Sequence, residues 1–334
     1  MDILSEGVIN YDNIRGKVNA TEKEIECFGV KDGDLLFQRS SETLEDVGRA
    51  NVYMDNRTAI YGGFVIRGRK IGNYDPLFFK YLLATPLARK RTCRMGAGAQ
   101  HFNIGQEGLS KISLYFPSIE EQRKIAGFLS LIDERIATQN KIIEDLKKLK
   151  SAISLKMLHS DSWKQFKIKD IASIGRGRVI SSVEISQQDN PLYPVYSSQT
   201  SNEGIMGYLD NFMFEGEYIN WTTDGANAGT VFYRDGKFNC TNVCGLLKLG
   251  DEFDTYFVSL VLAEATKKYV STNLANPKLM NNTMGSIQIR LPKLKEQKRI
   301  SIAFRKLREL LEVHNSLLTE YSKLKQYLLS QMFI

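Results

Sequence analysis

Four cysteines and three histidines among 334 residues leave little material for metal or redox chemistry. Cys27, Cys93, Cys240 and Cys244 are sparse and mostly far apart, a pattern of a reducing compartment rather than of a disulfide framework. Cys240 and Cys244 are close in sequence, but the nearest histidine is His314, and tetrahedral zinc wants four close ligands. These two thiols read as buried residues of a strand. With so few histidines, and without a Ser/His/Asp set or a carboxylate constellation, catalysis by this chain is not expected. No metal and no cofactor is expected either. Long apolar runs are also lacking: none approaches the roughly 20 residues of a membrane span. The opening MDILSEGVIN has neither the basic end nor the apolar core of a secretion signal. A cytoplasmic protein without a membrane partner is the expectation.

Two glycine- or proline-bearing stretches invite an enzyme reading and do not sustain it. NPLY (190–193) lacks the second proline of the Asn-Pro-Pro-Tyr motif of adenine methyltransferases, and no Gly-rich cofactor loop follows a strand upstream. GRGRV (175–179) has glycines without the spacing or the lysine of a phosphate loop, and reads as a basic turn.

What is present is enough for two domains with real cores: 43% hydrophobic and 25% charged residues, a formal charge of +7 and a pI near 9.0. A basic balance favours polyanions only modestly. The clusters ARKRTCR (88–94), IRGRK (66–70) and GRGRV sharpen it, although each also suits a solvated face.

A repeat organises the chain. PSIEEQRKI begins at Pro117 and PKLKEQKRI at Pro292, a step of 175. Sliding by that step also matches Ile125 with Ile300, Glu134 with Glu309, Asn140 with Asn315, Leu149 with Leu324 and Met157 with Met332. Both copies carry apolar residues at steps of three and four: Ile125, Leu129, Ile132, Ile136, Ile143, Leu146, Leu149, Ile153, and Ile300, Phe304, Leu307, Leu311, Leu318, Tyr321, Leu324, Leu328. That spacing predicts two long helices, each with one seam to bury, opened by a proline in the first turn and acidic residues after it. Gln139 and His314 interrupt the seams at equivalent places. A polar pair there costs stability and fixes register, so the two side chains are expected near one another.

The stretches before each helix correspond more faintly. YDPLFFKYLLA (74–84) matches FDTYFVSLVLA (253–263), with Asp75 and Asp254 as N-caps. Alternating apolar residues predict a strand at 112–116 and at 287–291, and further strands at 35–37, 59–67, 218–220, 230–233 and 244–249. SEGVINY (5–11) already resembles NEGIMGY (202–208), so the opening of the second head from Trp163 onward has no partner in the first. The fold class is mixed α/β (α+β): two strand-rich globular heads separated by two long antiparallel coiled-coil helices. The domains are 1–116, a helix at 117–158, 159–291 and a helix at 292–334. Because the links are very short, the second helix must fold back on the first. A helix of about 40 residues is roughly 60 Å long, so the pair would act as a ruler between heads.

Two heads that share a frame but differ at the surface suit two short targets at a set spacing, which B-DNA offers on one face about every 34 Å. Base reading wants amide and guanidinium groups on loops, with basic neighbours on phosphates. In the first head the candidates are Gln38, Arg39 and Ser40, then Gln100, His101 and Asn103 beside Arg89, Arg91 and Arg94. In the second they are Arg176, Arg178, Ser198, Gln199, Thr222, Thr223, Asn227, Lys278, Asn281 and Asn282. Composition leaves a second reading open, a scaffold whose rod joins partners and whose heads bind protein or carbohydrate.

Variable heads alternating with helices that open P-x-x-x-E-Q-[RK]-[RK]-I and carry KLK near their ends resemble the specificity (S) subunit of type I restriction–modification systems, over essentially the whole chain. The resemblance implies two target-recognition domains, 1–116 and 159–291, each reading one half of a bipartite, asymmetric site in double-stranded DNA. It implies spacer helices at 117–158 and 292–334 that bind two methyltransferase (M) subunits. The resulting complex methylates adenine and cuts DNA when motor-nuclease, or restriction (R), subunits join. The chain departs from that pattern in its shortened first head.

Overall fold

The computed structural model describes residues 2–5, 7–98, 100–271 and 276–333. The chain forms two units, Met1–Glu144 with Val313–Ile334, and Asp145–Glu312. The division crosses both long helices, Ile119–Met157 and Leu294–Gln331. Each unit therefore holds one mixed α/β head, part of the first long helix and part of the second.

Neither long helix starts at its proline. Pro117 and Pro292 each stand two positions before the first helical residue. The next residue acts as the cap: Gln122 N donates to Ser118 O at 2.9 Å and Gln297 N to Lys293 O at 3.1 Å. Proline's restriction of the preceding residue to extended backbone makes the helix start sharp.

In the first unit three antiparallel strands lie in the order Ala50–Val52, Leu35–Gln38, Val65–Gly68. The apolar run 59–67 is two strands rather than one. Its Gly62–Gly63 break lets Ala59–Ile60 pair with Gly29–Val30 while Val65–Gly68 joins the sheet. Helix Pro76–Ala84 is capped by Asp75, whose Oδ1 accepts from Phe78 N at 2.7 Å. It buries Phe78, Tyr81 and Leu82 against Ala126, Leu129, Ile132 and Ile136 of the first long helix, with Leu318, Tyr321, Leu328 and Leu329 of the second packed alongside. The seam contacts Asp133–Lys325, at 2.5 Å, and Gln139–His314 run in opposite senses along the two helices, which are antiparallel here.

The second unit has the same plan with more strands. A sheet in the order Val231–Arg234, Tyr218–Thr222, Cys244–Leu249, Ala172–Arg176 is antiparallel throughout. A second four-stranded sheet orders Ile205–Leu209, Tyr193–Tyr196, Lys237–Cys240 and Phe214–Glu215. Cys240 and Cys244 lie buried on these strands, and burial pushes the Cys240 thiol up. Helix Thr255–Ala265, capped by Asp254, packs Phe257, Val258, Val261 and Leu262 into a core that also holds Trp221, Leu279, Ile300 and Phe304, with Ile153 and Met157 of the first long helix against it.

One expected strand does not form. Gln288–Leu291 pairs antiparallel with Lys164–Lys167, but the equivalent stretch 112–116 belongs to no ladder among the described residues. Alternation of apolar residues is there, yet a strand needs a second strand for its main-chain groups, and Tyr115 is left 89% exposed. Among the described residues no helix is long and apolar enough to cross a membrane.

Candidate nucleic-acid interface

Both heads build the same small device at the end of their central strand. In the first, Gln38 closes a hairpin: its N–H donates to Arg49 O and its carbonyl accepts from Gly48 N, both at 2.8 Å. The hairpin tip is then stitched to a distant loop. Ile104 N donates to Arg39 O at 2.9 Å, and Ser40–Ser41 pairs with Phe102–Asn103. In the second head Thr222 N donates to Thr230 O at 3.0 Å and Gly229 N to Thr222 O at 2.9 Å. There Leu279 N donates to Thr223 O at 2.8 Å, and Asp224 bridges to Lys278. Ile104 and Leu279, both fully buried, pin the loops down. Gly48 and Gly229 have φ of +67° and +81°, and a Cβ would meet Thr92 Cγ2 at 2.5 Å in one head and Val270 Cγ2 at 2.6 Å in the other. Only glycine fits such a turn without strain.

Around these tips the two heads expose different side chains. Arg39, Gln100, His101 and Asn103 are exposed on the first, where the Ser40 hydroxyl bonds the Asn103 amide oxygen. Ala99 of the same loop lies outside the described residues. On the second, Lys278 and Asn282 are exposed, Asn227 and Asn281 half-buried, and the exposed Arg176 reaches Met280 Sδ at 3.7 Å. The device thus brings Arg39, Ser40 and Asn103 together in one head, and Asn227, Lys278, Asn281 and Asn282 onto its counterpart in the other.

Several candidates do other work. Gln38, Thr222 and Thr223 are buried, because each sits where the central strand enters its tip. Gln38 Nε2 donates to Ser40 O at 2.9 Å and Thr223 Oγ1 to Val243 O at 3.0 Å, so these three shape the tips and do not face outward. Arg89 turns inward to the carbonyls of Glu45 and Val47 at 2.8 and 2.7 Å, and burial pulls its pKa down. Arg91 donates to the Ser113 carbonyl, which leaves Lys90 in the last turn of helix Pro86–Cys93 and Arg94 just after it as exposed cations. Arg178 is exposed but bound to Glu184, which raises its pKa. Ser198 and Gln199 stand half-buried on a separate loop, where the Gln199 amide donates to Ile205 O. Sequence reasoning passed over Ser41 and Asp224. A slide of 184 aligns Arg39, Ser40 and Ser41 with Thr223, Asp224 and Gly225, and a slide of 175 hides that match.

Paired strand-rich heads with antiparallel long helices and matched, differently dressed loop rims define a two-headed recognition protein. Residues 3–148 and 160–321 match the type I restriction modification DNA specificity domain, and the chain belongs to this family. A Mycoplasma pneumoniae chain assigned as a type I specificity subunit is 36% identical over 206 residues, 60% of this chain and 85% of that one. Another, assigned as the N-terminus of such a subunit in the same organism, is 46% identical over 140 residues, 41% of this chain and 74% of its own length. The crystal structure of a type I restriction–modification S subunit from M. genitalium superposes with a TM-score of 0.67 over 92% of this chain and 84% of that one, at 17% identity, which is a likeness of fold. This chain is accordingly a DNA-recognition subunit and not a catalytic one.

Proposed function

We propose that each head reads one half of a bipartite site in double-stranded DNA through its tip rim, with 1–116 and 159–291 as the recognition domains. Arg39, Ser40, Gln100, His101 and Asn103 face one half-site, and Arg176, Asn227, Lys278, Asn281 and Asn282 the other. Arg94 stands where a phosphate contact would be made. The observation that carries this reading is the shared tip device bearing unlike side chains: Ser40 and Asn103 meet in one head where Asp224 and Lys278 meet in the other. A common frame with different hydrogen-bonding groups is what two different base sequences require.

The segments 117–158 and 292–334, which carry the long helices Ile119–Met157 and Leu294–Gln331, are then the spacer. Their exposed Phe128, Leu131, Leu155, Ile302 and Tyr327 suit the docking of two methyltransferase subunits, with restriction subunits joining that assembly in the cytoplasm. Apolar side chains exposed along one element mark such interfaces. The test is to map methylated adenines in a host carrying this gene with its methyltransferase partner. The expected result is a motif with two defined halves around an undefined spacer; a motif with one defined half overturns the two-headed reading.

A further inference from the structure

The tip of the second head sets an acid beside a base. Leu279 N donates to Thr223 O at 2.8 Å and Gly225 N to Pro277 O at 3.0 Å, so Asp224 and Lys278 face each other between two main-chain bonds. That is the non-hydrogen-bonded kind of antiparallel pair, the closer of the two, in which side chains share one face with Cβ atoms about 5 Å apart. On its other side the Lys278 main chain is held by Ser271, whose N–H donates to Lys278 O at 3.0 Å and whose Oγ accepts from Lys278 N at 3.3 Å. Asp224 is half-buried and Lys278 exposed. Among the described residues neither side chain is hydrogen-bonded or ion-paired. The matching place in the first head holds Ser40 and Asn103, whose side chains bond one another. The second head instead presents an acceptor and a donor, side by side and unspent.

Phosphates repel a carboxylate, so on a rim that meets a duplex an acid fits only where it finds a donor. In the major groove the donors are the exocyclic amines of cytosine and adenine. The ammonium beside it requires an acceptor on the same base pair. Guanine, opposite cytosine, offers two, O6 and N7, whereas thymine, opposite adenine, offers O4 with an apolar methyl group next to it. We infer that Asp224 and Lys278 together read one C·G base pair, Asp224 accepting from cytosine N4 and Lys278 donating to guanine O6 or N7. Asp224 is then a specificity-determining residue: guanine or thymine in place of the cytosine would turn a carbonyl oxygen toward the carboxylate and leave both acceptors unpaired. This assignment rests on the two-headed reading and fixes one position within it.

The experiment maps methylated adenines in a host carrying this gene with its methyltransferase partner, for the unsubstituted chain and for Asp224→Ala, Asp224→Asn and Lys278→Ala. The main-chain bonds of the pair use neither side chain, and Asp224→Asn keeps the shape of the carboxylate, so it carries the test if Asp224→Ala does not fold. All three variants should relax the same single C·G position in one half of the motif, with the preference for C·G there falling by about tenfold or more. Every other position in both halves should keep its base, which a merely structural role at the tip would not allow. An unchanged map, relaxation at an A·T position, different positions for Asp224 and Lys278, or blurring of several positions would each overturn the assignment. Those outcomes leave a motif with two defined halves, and with it the two-headed reading, standing. A map of the unsubstituted chain with one defined half would overturn both.

Discussion

Gln122 and Gln297 explain why the repeated helix start carries Glu-Gln. Gln122 Nε2 donates to Pro117 O at 2.8 Å while its Oε1 accepts from Asp75 N at 2.9 Å. Gln297 does the same to Pro292 O and Asp254 N, at 2.8 and 2.9 Å. One buried amide thus ties the N-cap of each head helix to the start of a long helix. The Glu121 side chain, by contrast, is exposed. The second clamp has a further bond, Ser301 Oγ to Asp254 Oδ1 at 2.5 Å, where the first has Ala126. Replacing Gln122 by leucine strands a donor and an acceptor together, which costs about 1–3 kcal/mol. Hydrogen exchange should show faster opening of Pro76–Ala84 in Gln122→Leu and of Thr255–Ala265 in Gln297→Leu, each within its own unit. Equal loosening of both helices by either variant would show that the amide is not a local clamp.

The two long helices were legible in the sequence because a period near 3.6 reports burial on one side and needs no knowledge of the partner. What the period could not show is where the apolar series stays exposed. Leu149 and Leu324, a matched pair in the apolar series, are 49% and 42% exposed. Beside Leu324, Lys325 turns in to meet Asp133, which also accepts from Tyr81 Oη at 2.9 Å and lies 3.5 Å from Lys80 Nζ. Burial first, and the Asp133 charge second, hold the Tyr81 phenol neutral well above its ordinary range. The strand expected at 112–116 failed for the opposite reason: alternation is a local signal, and pairing depends on residues far away. The candidate loops were legible as loops, but not the inward turn of Thr223 and Arg89, which depends on the carbonyls of Val243, Glu45 and Val47 that only the fold brings near. Gln139 Oε1 and His314 Nδ1, 2.7 Å apart and half-buried, offer a measurement on the seam itself. Gln139→Leu or His314→Leu alone leaves one polar group without its partner and should cost about 1–2 kcal/mol, while the double leucine variant should recover most of that loss. Denaturant unfolding of the four proteins gives the coupling. Simple additivity would mean that the contact contributes nothing to the seam.

Across the whole molecule, the formal charge of +7 supplies attraction to any duplex and no choice among sequences, because phosphate contacts position and base contacts specify. Choice must come from the rims, and the rims belong to separate units. That separation makes the two-headed reading severe to test. Arg39→Ala with Asn103→Ala alters one rim and leaves the buried clamp and core of the other head untouched, and Lys278→Ala with Asn282→Ala does the converse. In methylation maps each pair should relax one half of the recognised motif and keep the other half intact, since mismatches at separate positions act independently. Binding titrations separate the roles further. A cation that touches phosphate lowers affinity for all sequences and reduces the salt slope by about one when removed, whereas an amide that reads a base lowers affinity for its own site alone. If either rim pair blurred both halves of the motif together, the heads would be acting as one surface, and the equivalence of their tips would be a matter of folding rather than of reading.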